Sequence, residues 1–450
     1  MGSSKPLTRA VILLTGGVLA AAATAGAARA PAKIQLHQIS RDPYVNADSQ
    51  HATEVEPDTA SSGSTVVAVF QVGRISDGGA ANIGFAVTRN RGRTWKHGFM
   101  PGLTANSKAA GTWPRVSDPT VAYDPVHGAW LSVSIGFGGD TSAFLVNRSA
   151  DGLHWGAPVT TNLRSGFQLD KEWVACDDWP SSPYRGHCYL SYDDLETAQI
   201  ATQVSTDGGV TWSAPVSAAG FPGRASIQGT EAPGVQPVVR PDGTVVVPYF
   251  DETALTEIRS ADGGATWLPA TTIAPAKYHP PSGLRAAPLP SAAVDGAGTV
   301  YVAWADCSLR LSCSANDLVV ARSADGLTWA TPVKVPTRAP DAEIPGLAAD
   351  RGTPGRLALA YYTVRSGSRL NVAFLASKNG GLGWTNPRRL NSVTFPLAWI
   401  ASTSLGSMVG DYISTSFAGG RAVPVFALAL RPGSNGLRES MYSTSLAVPR

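Results

Sequence analysis

The sequence is poor in the residue types that most often mark metal and redox sites. Its 450 residues include seven histidines and four cysteines, and charged residues make up 15%. No two cysteines have Cys-x-x-Cys spacing, and no histidine cluster accompanies them, so a zinc site is not indicated. No EF-type loop is present either. We therefore predict no metal and no cofactor, and leave open only a structural calcium ion.

Runs of positive charge are also lacking. The formal net charge is +3, and removal of residues 1–30 with Lys5, Arg9 and Arg29 leaves 33 basic and 33 acidic residues (36 − 3 against 33). Such a chain has no long-range field that would collect nucleic acid or anionic membrane. We expect neither as a partner.

Long apolar runs are confined to the first 30 residues. Lys5 and Arg9 precede an Ala- and Gly-rich apolar stretch that ends in Ala28-Arg29-Ala30, the pattern of a secretory signal. We predict a cleaved signal over 1–30 and one domain over 31–450, in a secreted monomer of the extracellular space or cell envelope.

The four cysteines fit an exported chain. The simplest of the three connectivities pairs Cys176 with Cys188 and Cys307 with Cys313, each within one repeat of the chain. We predict these two disulfides.

What the sequence does contain is a short turn that returns six times. Each copy combines Ser or Thr with Asp or Asn and Gly, which favour tight turns, and closes on a Trp that buries a large ring. The closing tryptophans are spaced by 60, 57, 55, 62 and 55 residues. We call the turns clasps; they span 88–95, 148–155, 205–212, 259–267, 322–329 and 377–384.

Between clasps, strand patterns alternate with Asp/Gly turns, as in QPVVRPDGTVVVPY (236–249). Four strands in each repeat, at a period near 60 residues, are typical of a β-propeller blade. The last repeat, from Met408 onward, has three strands and no clasp. Because IQLHQIS (34–40) resembles a fourth strand, we predict an all-β, seven-bladed propeller closed by the N-terminal strand. A six-bladed ring with an irregular tail is the alternative.

The clasps resemble the Asp box, S-x-D-x-G-x-T-W, of the sialidase (BNR-repeat) superfamily. Ser260, Asp262, Gly264, Thr266 and Trp267 match every fixed position. The resemblance implies a β-propeller whose Asp boxes lie at the periphery, with the functional site elsewhere.

Polar residues concentrate in the strand 2–3 loops and the connections between repeats, which share one end of a propeller. We call this the long-loop end, and the end that holds the strand 1–2 turns and the clasps the hairpin end. Function concentrates on loops that a rigid scaffold positions. The predicted catalytic residues at the long-loop end are Asp118, Glu172, Asp411 and Tyr412. The predicted substrate-binding residues are Arg74, Arg115, Lys171, Arg285, Glu56 and Glu231.

The resemblance to sialidases implies an exo-glycosidase with a tyrosine nucleophile, a carboxyl acid/base and arginines that hold an acidic sugar. No Arg-Ile-Pro segment, where the superfamily has its first such arginine, precedes the first clasp. Because carboxylates, arginines and aromatic residues converge on the long-loop end, the sequence favours a secreted sialidase-like hydrolase of extracellular glycans. A non-catalytic propeller that binds a glycan or a protein is the alternative.

Overall fold

A computed structural model describes residues 1–4, 6–7, 34–218, 234–365, 368–434 and 436–449. Most of the predicted signal segment lies outside these residues, as does Glu231. Backbone contacts separate Met1–Ile34 from a compact unit, Gln35–Arg450, which is described below. No helix in the described part of the chain is long and apolar enough to cross a membrane.

The compact unit is all β and repeats one antiparallel arrangement of four strands. In the described residues this arrangement occurs seven times, and we number the repeats 1 to 7. Repeat 1 consists of Glu54–Ser62, Thr65–Arg74, Ala80–Thr88 and Lys96–Phe99. Repeat 2 consists of Arg115–Asp124, Ala129–Gly138, Thr141–Ser149 and Val159–Ser165, and repeat 3 of Leu169–Cys176, Cys188–Asp194, Gln199–Ser205 and Val216–Ser217. One residue pair, Ala80 with Val116, joins repeats 1 and 2 into an eight-stranded sheet.

The later repeats follow the same order, with two additional short strands. Repeat 4 consists of Val238–Val239, Val245–Asp251, Ala254–Ser260 and Leu268–Pro275, and repeat 5 of Ser291–Val294, Val300–Asp306, Asp317–Ser323 and Val333–Lys334. Repeat 6 consists of Asp341–Ala349, Leu357–Arg365, Arg369–Ser377 and Arg388–Arg389, and the short strand Phe395–Pro396 also pairs within it. Repeat 7 consists of Ser414–Ala418, Arg421–Ala429 and Glu439–Ser443, with Leu446–Ala447 on its second strand.

The fourth strand of repeat 7 comes from the other end of the compact unit. His37–Gln38 pairs antiparallel with Glu439–Ser443, with His37 opposite Ser443. A hairpin of Ala401–Thr403 and Gly406–Met408 stands apart from the repeats, and single 3₁₀ turns occupy Leu311–Cys313 and Leu397–Trp399.

The first strand of each repeat is the innermost. These inner strands contact one another in chain order, and the inner strand of repeat 7 contacts that of repeat 1. Thr59 of repeat 1, for example, exchanges hydrogen bonds of 2.8 Å with the Ser414 and Ser416 hydroxyls of repeat 7. The inner strands therefore surround a common axis.

Each clasp tryptophan packs into the apolar layer between its own repeat and the one before it. Trp155 packs with repeats 1 and 2, and Trp267 with repeats 3 and 4. Trp95 of repeat 1 packs on Val66 of its own repeat and on Val423 of repeat 7. The tryptophans thus stabilise the contact between neighbouring sheets, which explains why the turn recurs in each of the first six repeats.

The clasps with Asn make the same bonds as those with Asp. Asp262 accepts from the Thr266 amide at 2.9 Å, and Asn379 accepts from the Gly383 amide at 2.8 Å. Either side chain offers the acceptor that the turn requires.

Both predicted disulfides are present, Cys176–Cys188 and Cys307–Cys313. The first joins two strands of repeat 3 at the hairpin end, and the second closes a loop of repeat 5 at the long-loop end.

Candidate functional site

Bulges at the start of four inner strands direct charged residues toward the axis. Strand register shifts between Val55 and Asp58, between Ser117 and Thr120, and at the matching places in repeats 3 and 6. The bulged residues have positive φ: Glu56 at 55°, Asp118 at 49°, Lys171 at 51° and Ile344 at 51°. A bulge re-aims the side chains of its strand, and left-handed backbone is costly for residues with a Cβ. Three of the four bulges carry charged residues that the sequence predicted as site residues.

Asp411 of the segment before repeat 7 is the centre of a buried ion network. Lys171 Nζ lies 2.6 Å from Asp411 Oδ2 and 3.6 Å from Asp118 Oδ2. Arg285 binds Asp411 with two nitrogens, at 2.9 and 2.6 Å. Lys171 and Asp411 are almost fully buried. Burial alone raises the pKa of a carboxyl group, but Arg285 and Lys171 hold the pKa of Asp411 well below its usual value.

Glu56 belongs to the same network through hydrogen bonds. One of its oxygens accepts from the Asp411 amide at 3.2 Å, and the other accepts from the Gln71 side chain. Gln71 also donates to Ser117 at 3.1 Å and accepts from Arg74 at 3.3 Å. Burial, with the charges of Asp118 and Asp411, raises the pKa of Glu56 well above its usual value.

Asp118 and Glu172 are two carboxyl groups whose surroundings shift their pKa values in opposite directions. Burial opposes ionisation of Asp118, but Lys171 and a 2.6 Å hydrogen bond from Ser117 lower its pKa. Neither oxygen of Glu172 has a hydrogen-bond partner among the described residues. Burial, and next the charge of Asp118, raise the pKa of Glu172 well above its usual value. The surroundings therefore favour the ionised form of Asp118 and the protonated form of Glu172.

Tyr412 faces a different direction from Asp411. Its hydroxyl donates to the Pro119 carbonyl at 3.1 Å, and its ring meets Trp173 edge to face at 5.1 Å between centroids. Burial, together with nearby carboxyl charges, raises the pKa of Tyr412 well above its usual value. In this arrangement its hydroxyl is neutral and engaged with the backbone.

The structure brings together most of the predicted residues. Glu56, Asp118, Lys171, Arg285 and Asp411 form the network, with Arg74 joined through Gln71. Arg115 is separate from this set, because it binds Asp77 at 2.8 Å and the Gly78 carbonyl at 3.0 Å. Glu231 lies outside the described residues.

Two members of the site were missed in the sequence. Gln71 lies on the second strand of repeat 1, where its buried amide bridges Glu56 and Ser117. A polar residue inside the apolar run TVVAVFQVG is a signal that could have found it. Ser117 directly precedes Asp118, and nothing in its sequence context distinguishes it.

Two cavities adjoin the aromatic pair. A small one of about 20 Å³, room for about one water molecule, is lined by Glu172, Trp173, Tyr412 and five other residues. A second, of about 710 Å³, runs along the axis between the inner strands of all seven repeats. Its lining extends to hairpin-end turns, including Gly63, Gly352 and Gly420. Trp173 contributes to both cavities.

The carboxylates of the network are balanced by protein cations. Asp118 and Asp411 face Lys171 and Arg285. Within the described residues, no group of three or more His, Cys, Asp or Glu side chains is arranged to hold a metal ion.

Comparison with known proteins places this architecture in a family. Residues 186–447 match the model of the BNR repeat-like domain, and this segment is more than half of the 450 residues. The chain belongs to the BNR repeat-like family. This membership confirms the resemblance to the sialidase superfamily that the clasps indicate. No curated protein sequence matches the chain.

Solved structures of BNR-type and related proteins are similar over most of the chain, at low sequence identity. An ulvan lyase of polysaccharide lyase family PL25, bound to a GlcA(1-4)Rha3S saccharide, has a TM-score of 0.52 at 12% identity, over 91% of this chain and 97% of its own. The Hadza microbial sialidase Hz136 has a TM-score of 0.46 at 14% identity, over 88% and 67%. The Penicillium chrysogenum α-L-arabinanase has 0.47 at 12%, over 92% and 99%. The ulvan lyase match shows that the β-propeller fold is shared.

Proposed function

We propose that this BNR repeat-like protein is an exported glycoside hydrolase that acts on extracellular glycans at its long-loop end. The observation that carries the proposal is the pair formed by Asp118 and Glu172: Lys171 and Ser117 contact Asp118 and lower its pKa, whereas Glu172 is buried without a hydrogen-bond partner in the described chain and its pKa is raised. Glycoside hydrolysis commonly requires one carboxylic acid and one carboxylate beside the scissile bond. Environments that push the pKa values of two such groups apart assign the two roles.

In the proposed mechanism Glu172 is the general acid. Burial and the charge of Asp118 favour its protonated form, and neither of its oxygens has a hydrogen-bond partner in the described chain, so the proton is available for the leaving oxygen. Asp118 is the carboxylate that activates water or stabilises the developing positive charge, and Lys171 and Ser117 fix its orientation. Partly exposed Asp170 and Arg285, with side chains 21% and 14% accessible, connect this pair to solvent.

The choice of a glycan rests on two supports. Trp173 lines both the small cavity beside Glu172 and the cavity of about 710 Å³, and an apolar ring of this kind suits the face of a sugar. The ulvan lyase, whose fold is similar, is named for action on a polysaccharide. A sialic acid substrate is one member of this class, and Arg285, a partly exposed member of the network that binds Asp411, is the arginine proposed to contact an acidic sugar.

Turnover of a panel of aryl glycosides, including a sialoside, tests the proposal. We expect Glu172→Gln and Asp118→Asn each to reduce kcat by about 10²-fold or more, with unfolding curves like the wild type. The alkaline limb of the pH profile should disappear in Glu172→Gln, because that limb reports loss of its proton. Asp262→Ala in a clasp is the matched control and should lower stability without changing kcat per folded molecule. Full activity in either carboxyl variant would refute the assignment.

A non-catalytic propeller that binds glycan or protein is the second candidate. It is favoured by the state of Tyr412, whose hydroxyl is protonated and donates to a backbone carbonyl. It is also favoured by the burial of Asp118 and Asp411 against cations. Saturable glycan binding without turnover on any substrate of the panel would decide for this candidate.

We further propose that the seven repeats are the seven blades of a closed ring, that the clasps are Asp boxes, and that the chain is secreted. Pairing of His37–Gln38 with repeat 7 supports closure, and two disulfides support an oxidising compartment. Deleting residues 35–40 should expose an unpaired strand edge and cause aggregation. Normal, cooperative melting of this deletion would argue against closure.

A further inference from the structure

A second polar cleft lies on repeat 6, away from the Asp118–Glu172 pair. Its volume is about 210 Å³, and three arginines line it: Arg338, Arg365 and Arg389. Arg338 belongs to the connection between repeats 5 and 6, Arg365 ends the second strand of repeat 6, and Arg389 ends the fourth. The first two positions belong to the long-loop end, so the cleft opens on the same end as the proposed hydrolase site.

The three guanidinium groups have no anionic partner in the described chain. All three arginines are exposed, and none forms an ion pair with a carboxylate of the described residues. The lining contains no Asp or Glu. By contrast Arg310, Arg351 and Arg356, in the same part of the chain, each pair with an aspartate.

Positive charge is concentrated in the chain segment that contributes this cleft. Residues 337–396 contain eight basic and three acidic residues, a net charge of +5 (8 − 3), whereas the whole chain has +3. The excess cannot be a general property of the surface, because the remaining 390 residues then sum to −2 (3 − 5). Arg351, Arg356 and Lys378 of this segment lie at the hairpin end, so the positive charge at the cleft itself is that of its three lining arginines. A local field of this sign attracts anions.

The floor of the cleft is held in place by a buried, hydrogen-bonded tyrosine and combines apolar with polar surface. Tyr361 is buried, and its hydroxyl donates to the Thr337 carbonyl at 3.2 Å. Pro387 and Ala373 add apolar surface, and Thr363 and Asn371 add polar atoms. A concave, rigid wall with arginines around it offers a bound group both contact area and bidentate hydrogen bonds.

We propose that this cleft is a binding subsite for the acidic groups, sulfate esters or carboxylates, of an anionic polysaccharide. Its volume is below the roughly 300–1,000 Å³ of pockets that enclose a whole small molecule, so it suits one acidic unit of a longer chain. Proteins that bind single-stranded nucleic acid stack bases on accessible aromatic rings, and the one aromatic ring of this lining, Tyr361, is buried. The subsite does not require that the protein be catalytic.

Binding of defined polymers to the purified protein tests the proposal. We expect dextran sulfate or polygalacturonate to bind, and neutral dextran and a single-stranded oligonucleotide not to bind. The variant R338Q/R365Q/R389Q should weaken polyanion binding by at least about tenfold, because each change removes one bidentate donor. Its thermal unfolding should match the wild type, since all three side chains are exposed. The same measurements in Glu172→Gln separate this binding from any turnover.

A charge-matched control distinguishes a site from general attraction. R93Q/K96Q/K378Q removes three exposed cations elsewhere on the compact unit and should change affinity by less than about twofold. Preference for dextran sulfate would assign sulfate esters, and preference for polygalacturonate would assign carboxylates. Equal loss in the two triple variants, equal binding of the oligonucleotide, or failure of both polyanions to bind would overturn the proposal.

Discussion

The long-loop end and the hairpin end of the axis are built from the same seven inner strands, but they differ in buried charge and in open volume. At the long-loop end, the side chains of Lys171, Arg285 and Asp411 meet in a buried ion network. Toward the hairpin end the same strands leave a cavity of about 710 Å³, lined mainly by Ser, Thr, Ala and Val. Charged side chains therefore occupy the axis at the long-loop end, whereas the hairpin end contains a cavity.

The difference begins in the backbone. Bulged residues with positive φ, such as Glu56 and Asp118, occur where the inner strands start. Beyond the bulge, the strands resume the two-residue alternation of a regular sheet, and small side chains such as those of Ala122, Ala292 and Ala348 line the axis. The inner strands thus hold a charged site at one end because they are irregular at that end.

The largest difference in unfolding free energy between the two ends should come from removing one side-chain charge of the network. Asp411→Asn keeps the shape but leaves Lys171 and Arg285 buried without their shared carboxylate, which should cost about 3–5 kcal/mol of unfolding free energy. Ser416→Ala, on the channel wall, removes hydrogen bonds to Thr59 and should cost about 1 kcal/mol. Urea unfolding measures both. Similar values for the two variants would mean that the network contributes no more than an ordinary hydroxyl contact.

The two regions should also respond oppositely to pH. Asp58 lines the open cavity, and burial raises its pKa from 3.8 to about 7. Its contribution to stability is present at pH values below about 4 and is lost as pH rises through about 7. Asp411, with its lowered pKa, contributes at neutral pH, and this contribution is lost as pH falls below 3.8.

Asp58→Asn should therefore reduce the decline of unfolding free energy between about pH 4 and 7, by on the order of 3 kcal/mol. Asparagine retains the acceptor for the Val121 amide, which Asp58 binds at 2.9 Å. Unfolding curves of both proteins at several pH values measure the change. An identical decline in the variant would show that Asp58 ionises freely in the folded protein.

The smallest expected difference is between the unfolding free energies lost on removing each disulfide, one of which lies at each end. Replacing Cys176 and Cys188 by Ser opens a span of 12 residues and should cost about 2–3 kcal/mol by loop entropy. The Cys307–Cys313 bond spans six residues, and its loss should cost slightly less, about 2 kcal/mol. A larger loss at the shorter span would mean that the bond holds its loop by more than chain entropy.

Much of the architecture could be predicted because its determinants are local. A clasp is decided by bonds within five residues, such as that from the Thr211 amide to Asp207. Cys176 and Cys188 are close in sequence and lie opposite each other on paired strands. The clustering of charged residues at the long-loop end followed in the same way from the order of strands and loops.

The partners of those charged residues were not local. Asp411 meets Lys171 and Arg285 across 240 and 126 residues. Arg115, which appeared equivalent to Arg285 in the sequence, is bound by Asp77 on a neighbouring loop. The arginine cleft was missed altogether, since Arg338, Arg365 and Arg389 are spread over 52 positions (389 − 338 + 1).

By itself, the sequence determined the repeat, the clasps, the cysteine pairs and the end of the propeller at which charge collects, because each depends on short-range hydrogen bonding, turn preference or strand order. Only the tertiary structure decided which carboxyl groups are ionised. Asp118 and Glu172 are both acidic residues at matching loops. Lys171 and Ser117 lower the pKa of Asp118, whereas burial and the charge of Asp118 raise the pKa of Glu172, because the pKa of a buried group depends on its neighbours in space.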